Sequence, residues 1–209
     1  MAKHIESVVN SNLTKVTSAE FLSELKQGDL VFCSGQEVLS KGIELVTGSP
    51  FSHVLMVWRP WDSSEWLTLE STDNKGVHLG IFADYVNSYN GNLVLGRRPS
   101  LTDTQITQQL NTGFTLLDYS YDYAEEGSIV ARKLLRFLPV IKPKKELYCS
   151  GLQQAIGMNT IPFKTYGPDW DTPEQIFIDD SVESVVALIR VSVETSRASG
   201  TSTGQQVKS

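Results

Sequence analysis

The sequence predicts an α+β domain. Three observations lead there. Short runs rich in β-formers recur along the chain, two of them separated by a loop of hairpin length. Between them lie short amphipathic segments that open on capping boxes, such as Thr17-Ser18-Ala19-Glu20. At 209 residues and 40% hydrophobic composition, the chain can bury a substantial core in one domain.

Residues 1–16 are polar and weakly patterned, and are expected to form a flexible N-terminal arm; the domain proper is predicted over 17–194. After the first capping box, Phe21, Leu22 and Leu25 continue at helical spacing, giving a short helix over about 18–26. Gly28-Asp29 turns the chain into the apolar run Leu30-Val31-Phe32-Cys33, suited to a buried strand. Ser34-Gly35-Gln36-Glu37 reads as a second capping box, opening a helix that Gly48 and Pro50 close.

Ser52 to Trp58 and Trp66 to Ser71 are strand-like, with Arg59 to Glu65 as the loop between them. Alternation puts His53, Leu55 and Val57 on one face of the first strand, and Trp66, Thr68 and Glu70 on one face of the second. Pairing Trp58 with Glu65 sets His53 directly opposite Glu70, and a slip of one residue would separate them. Gly76 to Leu79 predicts a strand, Phe82 to Tyr89 a helix, Leu93 to Arg98 a strand stopped by Pro99, and Thr102-Asp103-Thr104-Gln105 caps a helix reaching about Leu117.

Asp118 to Tyr123 is aromatic and acidic together, which suits a cleft wall, and 128–138 is amphipathic and basic. Ser150 onward reads as a helix with Leu152 and Ile156 on one face, which places Cys149 at its N-terminus. Thr172-Pro173 starts a helical turn, Val182 to Val193 forms a last strand with a bend or bulge, and 195–209 is a polar tail expected to be disordered.

Composition narrows the function. A net charge of −6 gives no footprint for nucleic acid, and Lys142-Pro143-Lys144-Lys145 is a solvated basic loop. Two cysteines are too few for a disulfide framework, so both are expected as reduced thiols. No apolar stretch approaches 18 residues and no signal peptide follows Met1, which predicts a protein without an integral membrane segment, cytoplasmic unless a phage or other route exports it.

A thiol at a helix N-terminus is where the macrodipole favours thiolate, although most free cysteines are buried packing groups. A histidine in an apolar strand is likewise usually a core residue, and Glu70 could face solvent. Taken together, Cys149, His53 and Glu70 are the parts of a nucleophile, a base and the group that orients it.

The blocks Gly28-Asp29-Leu30-Val31-Phe32, Ser52-His53-Val54-Leu55-Met56-Val57, Leu69-Glu70-Ser71 and Tyr148-Cys149-Ser150-Gly151-Leu152 resemble the circularly permuted branch of the NlpC-type papain-like superfamily, the YiiX-like cysteine hydrolases. In the unpermuted enzymes the cysteine helix comes first; here it comes last. The resemblance covers roughly 27–190. It implies a papain-like fold with a central antiparallel sheet or small barrel, the cysteine helix packed against it, and Cys149, His53 and Glu70 as the catalytic triad. The implied activity is that of an amidase or peptidase working through a thioester on a small peptide, muropeptide or acyl substrate.

Two other classes stand beside it: a lipid-directed acyltransferase or esterase of the same fold, and a non-catalytic binding or virion-associated module with a vestigial triad. No metal or cofactor enters the expectation. Tyr148, Tyr121 and Tyr123 are candidates for the oxyanion or substrate side, His78 is a rival base, and Cys33 a core residue. Tyr148 stands where the unpermuted enzymes usually carry aspartate, and Gly151 where permuted relatives often show glutamate, which leaves the substrate and the oligomeric state open.

Overall fold

The computed structural model describes residues 13–35, 50–120, 147–164 and 172–189. Among these, seven strands form one open, mostly antiparallel sheet, in the order β1-β7-β6-β2-β3-β4-β5. The strands are β1 (Thr14–Lys15), β2 (Leu30–Gly35), β3 (His53–Trp58), β4 (Leu67–Thr72), β5 (Gly76–Ile81), β6 (Gly91–Arg97) and β7 (Glu183–Leu188). β1 runs parallel to β7, and every other neighbour is antiparallel. The helices are α1 (Ser18–Glu24), α2 (Phe82–Ser88), α3 (Asp103–Thr115), α4 (Cys149–Gly157) and α5 (Pro173–Phe177).

Both faces of the sheet are covered, and period-2 alternation sorts the side chains between them. Leu30, Phe32, Val54, Met56 and Leu69 pack under Leu110 of α3, Leu152 and Ile156 of α4, and Ile176 of α5. Val31, Cys33, Leu55, Val57, Leu93 and Leu95 pack under Phe21 of α1 and Phe82 and Val86 of α2. Cys33 is a core residue of that second face, fully buried. Thr17, Thr102 and Thr172 each accept from the third residue of the following helix in a complete capping box, the chemistry their sequences predict.

Four sequence expectations need correction. The arm assigned to 1–16 contributes Thr14–Lys15 to the sheet edge, paired with Val186 and Ala187. Ser34, read as a helix cap, lies within β2 opposite Asn92, because the strand continues through Gly35. The β3–β4 hairpin is two residues out of the predicted register: Trp58 faces Leu67, not Glu65. Glu65 and Trp66 stay in the loop, where the Arg59 guanidinium lies 4.9 Å from the centre of the Trp66 ring. The last strand is shorter than Val182 to Val193, ending at Leu188, and its irregularity is a register shift at Leu95/Gly96 of β6. The helix predicted after Gln36, Tyr121 and Tyr123, the basic segments 128–138 and 142–145, and the tail 195–209 lie outside the described residues.

Candidate active site

A register error of two keeps every side chain on its predicted face, so His53 and Glu70 remain on one side of the sheet as diagonal neighbours. They meet: His53 Nε2 lies 3.0 Å from Glu70 Oε2. Glu70 is 2% exposed, and a carboxylate so deep must find donors. Tyr85 of α2 donates its hydroxyl to the same Oε2, and Thr68 donates to Oε1 at 2.7 Å. His78, directly opposite Glu70 on β5, brings its Nε2 to 3.8 Å from Oε1 while its Nδ1 lies 2.9 Å from the Gly76 carbonyl oxygen.

Cys149 is the first residue of α4, with Tyr148 as N-cap, and is buried. By alternation the helix sits on the opposite face from Glu70. His53 opens β3, so its ring stands at the end of the sheet, where both faces are within reach. There it also comes close enough to Cys149 for the two groups to interact electrostatically. With Nε2 directed to Glu70, Nδ1 is the nitrogen left for sulfur, the arrangement in which one imidazole can take a proton from a thiol while a carboxylate fixes its tautomer.

The electrostatics follow from these partners. Burial alone would lower the His53 imidazole, but its interactions with Cys149 and Glu70, and the charges of both, raise it well above its ordinary value. Burial alone would raise the Glu70 carboxyl; the hydrogen bond and charge of His53, with Tyr85 and Thr68 behind them, hold it below the usual carboxylate range. Burial and the Glu70 charge push the Tyr85 phenol far up, so it remains a donor.

Two glycines shape the surroundings. A side chain at Gly151 would meet the Tyr148 ring at 2.8 Å, so glycine there lets the tyrosine fold over the first turn of α4. Gly76 has φ 64° and lies against the Tyr119 carbonyl, where a Cβ would stand 2.1 Å from its oxygen. That close approach ties the β5 start to the segment following α3, since the Val77 N–H donates to Tyr119 O at 2.8 Å.

The structure brings Cys149, His53 and Glu70 together, with Tyr148 beside the cysteine. His78 reaches the carboxylate instead of the thiol. Sequence reasoning missed Thr68 and Tyr85. Thr68 shares the Glu70 face by alternation and was within reach of the argument; Tyr85 comes from a helix that crosses the sheet, and no local pattern announces it.

These features define an α+β domain built on a mostly antiparallel sheet, with a buried thiol, a half-buried imidazole and a buried carboxylate at one end. No protein-family model matches the chain, and no curated protein does. Its fold is similar to that of a solved structure, the metalloprotein yiiX from Escherichia coli O157:H7, a DUF1105 protein: TM-score 0.59, 16% identity, over 77% of this chain and 96% of that one. Among the described residues, no helix is long and apolar enough to cross a membrane.

Proposed function

We propose that the protein is a YiiX-like cysteine hydrolase of the amidase or peptidase type, acting through Cys149, His53 and Glu70. One observation carries the reading: a single imidazole lies 3.0 Å from a buried carboxylate and interacts electrostatically with the thiol that opens α4. The Cys149 thiol passes its proton to His53 as its sulfur attacks the carbonyl carbon of an amide or ester. His53 gives its proton to the leaving amine or alcohol as that bond breaks, and a thioester remains. Water then attacks the thioester as His53 accepts its proton, the carboxylic acid leaves, and the departing Cys149 sulfur takes that proton back from His53. The backbone N–H of Cys149 is the first donor for the oxyanion, with Tyr148 as the candidate second. The imidazole keeps 18% of its surface exposed.

The yiiX neighbour is described as a metalloprotein. Among the described residues, no three His, Cys, Asp or Glu side chains are grouped to hold a metal ion. Glu70 spends its oxygens on His53, Tyr85 and Thr68. This donor set does not fit a metal, and no step is routed through one.

A mass-spectrometric screen of peptide, muropeptide and lipid-ester libraries tests the reading. Wild type is expected to release products, and Cys149→Ala and His53→Ala to release none; equal turnover by wild type and Cys149→Ala overturns it. Capture of an acyl group without release to water would make the protein an acyltransferase. If no library is turned over and iodoacetamide reaches Cys149 only above about pH 8, a binding module with a vestigial triad is the better description.

A further inference from the structure

We infer that Ser71 is a positioning residue for Cys149, a role that rests on the thiol and imidazole chemistry proposed above. Ser71 follows Glu70 on β4, and in a strand consecutive side chains leave by opposite faces. Glu70 turns toward His53; Ser71 turns to the other face and, fully buried, donates its hydroxyl to the Leu147 carbonyl oxygen at 2.5 Å. Leu147 stands two residues before the nucleophile. Its N–H is also held, donating to the Ser120 carbonyl at 2.9 Å. The peptide groups flanking Leu147 are therefore fixed from both sides, and the α4 N-terminus follows from them.

The consequence is a two-sided bracket. One strand aims the acid at the base and, through the next residue, sets the helix that carries the thiol. The two groups arrive from segments almost 80 residues apart, and a displacement of about 1 Å between them can cost on the order of a hundredfold in rate. A hydroxyl in this place links their positions more directly than apolar packing, which tolerates sliding. Among the described residues, the titratable groups that interact with Cys149 are His53 on β3 and Cys33 on β2, with Glu70 behind the imidazole and Tyr85 and His78 behind Glu70. Ser71 carries no charge, so its loss changes distances and leaves this set intact.

Iodoacetamide alkylation of Cys149, followed by peptide mass mapping, reads the effect without knowledge of the substrate. Ser71→Ala is expected to slow alkylation about tenfold at pH 6, where reaction depends on the imidazole, and to leave the rate at pH 9 within about twofold. Ser71→Thr restores the hydroxyl and the pH 6 rate. Ser181→Ala, which removes a hydroxyl from the distant Arg98 and Asp179 cluster, changes neither rate. A pH 6 rate in Ser71→Ala equal to wild type, or a change of the same size at both pH values, overturns the inference and leaves the proposed function standing. Wild-type Cys149 that reacts only above about pH 8, as His53→Ala would, sinks both.

Discussion

The His53 and Glu70 pair carries a pH signature of its own. The imidazole is raised from an ordinary value of 6.5, so its contribution to stability is full below that pH and is lost as pH climbs above it. The carboxyl is lowered from an ordinary 4.5, so its contribution is full above that pH and fades as pH falls below it. The pair thus stabilises most between pH 4.5 and 6.5. Urea titrations of wild type and Glu70→Gln should differ most within that window and converge on either side; a gap that widens steadily toward pH 9 contradicts the pairing.

Much of this site was legible residue by residue. Period 2 put His53 and Glu70 on one face, and the Ser150 helix put Cys149 at its start. The register was not legible, because a shift of two keeps every side chain on its face, so alternation fits either pairing. The partners of Glu70 were hidden for a related reason. Tyr85 arrives from α2, which follows β5 in the chain and packs on the sheet face, and the place of His78 opposite Glu70 depends on the tight turn between Thr72 and Gly76.

At the scale of the element, α4 holds an anomaly. Gln153, one turn after Cys149, is 1% exposed, and among the described residues neither atom of its side-chain amide has a hydrogen-bond partner. Burying such a group without partners costs about 1–3 kcal/mol. Gln153→Met, apolar and close in shape, is expected to stabilise the protein by about 1 kcal/mol in denaturant titration. Unchanged or reduced stability would show that the amide has a partner in solution. The helix itself was readable because Leu152 and Ile156 repeat at four residues; the orphaned amide was not, since glutamine on a short helix reads as a surface residue.

A second element-level device closes the opposite end of the sheet. Asp29, at the entry to β2, accepts from Arg97 Nε at 2.8 Å and Nη2 at 2.7 Å, and from the Lys26 N–H at 2.8 Å. Arg97 Nη2 also reaches the Glu24 carbonyl at 2.6 Å, so one guanidinium joins α1, β2 and β6. Burial raises the Asp29 carboxyl despite these partners. Asp29→Ala strands a partly buried cation and should cost about 2–4 kcal/mol, measured as a lowered denaturant midpoint with an unchanged slope. The sequence offered Asp29 as a turn residue; that Arg97 would be its partner depends on β2 and β6 being neighbours, a fact of topology.

Over the whole molecule, the sheet order explains how distant segments converge. β2, β3, β4 and β5 follow one another as neighbours, so sequence adjacency predicts their layout. β6 and β7 break that rule, adding to the other side of β2. Short-range patterns cannot report such a jump. The open sheet has helices on both faces, and the thiol and carboxylate sit on opposite faces with the imidazole at the end between them.

The position of β7 has a consequence for biosynthesis. It lies between β1 and β6, so Thr14 and Lys15 wait for a partner that leaves the ribosome about 170 residues later. At roughly 5–20 residues per second, that is a delay of about ten seconds or more. Cys149 also emerges after the strands bearing His53 and Glu70, so the nascent chain carries base and acid well before it carries sulfur. The candidate site would then be complete only with the closing of the fold.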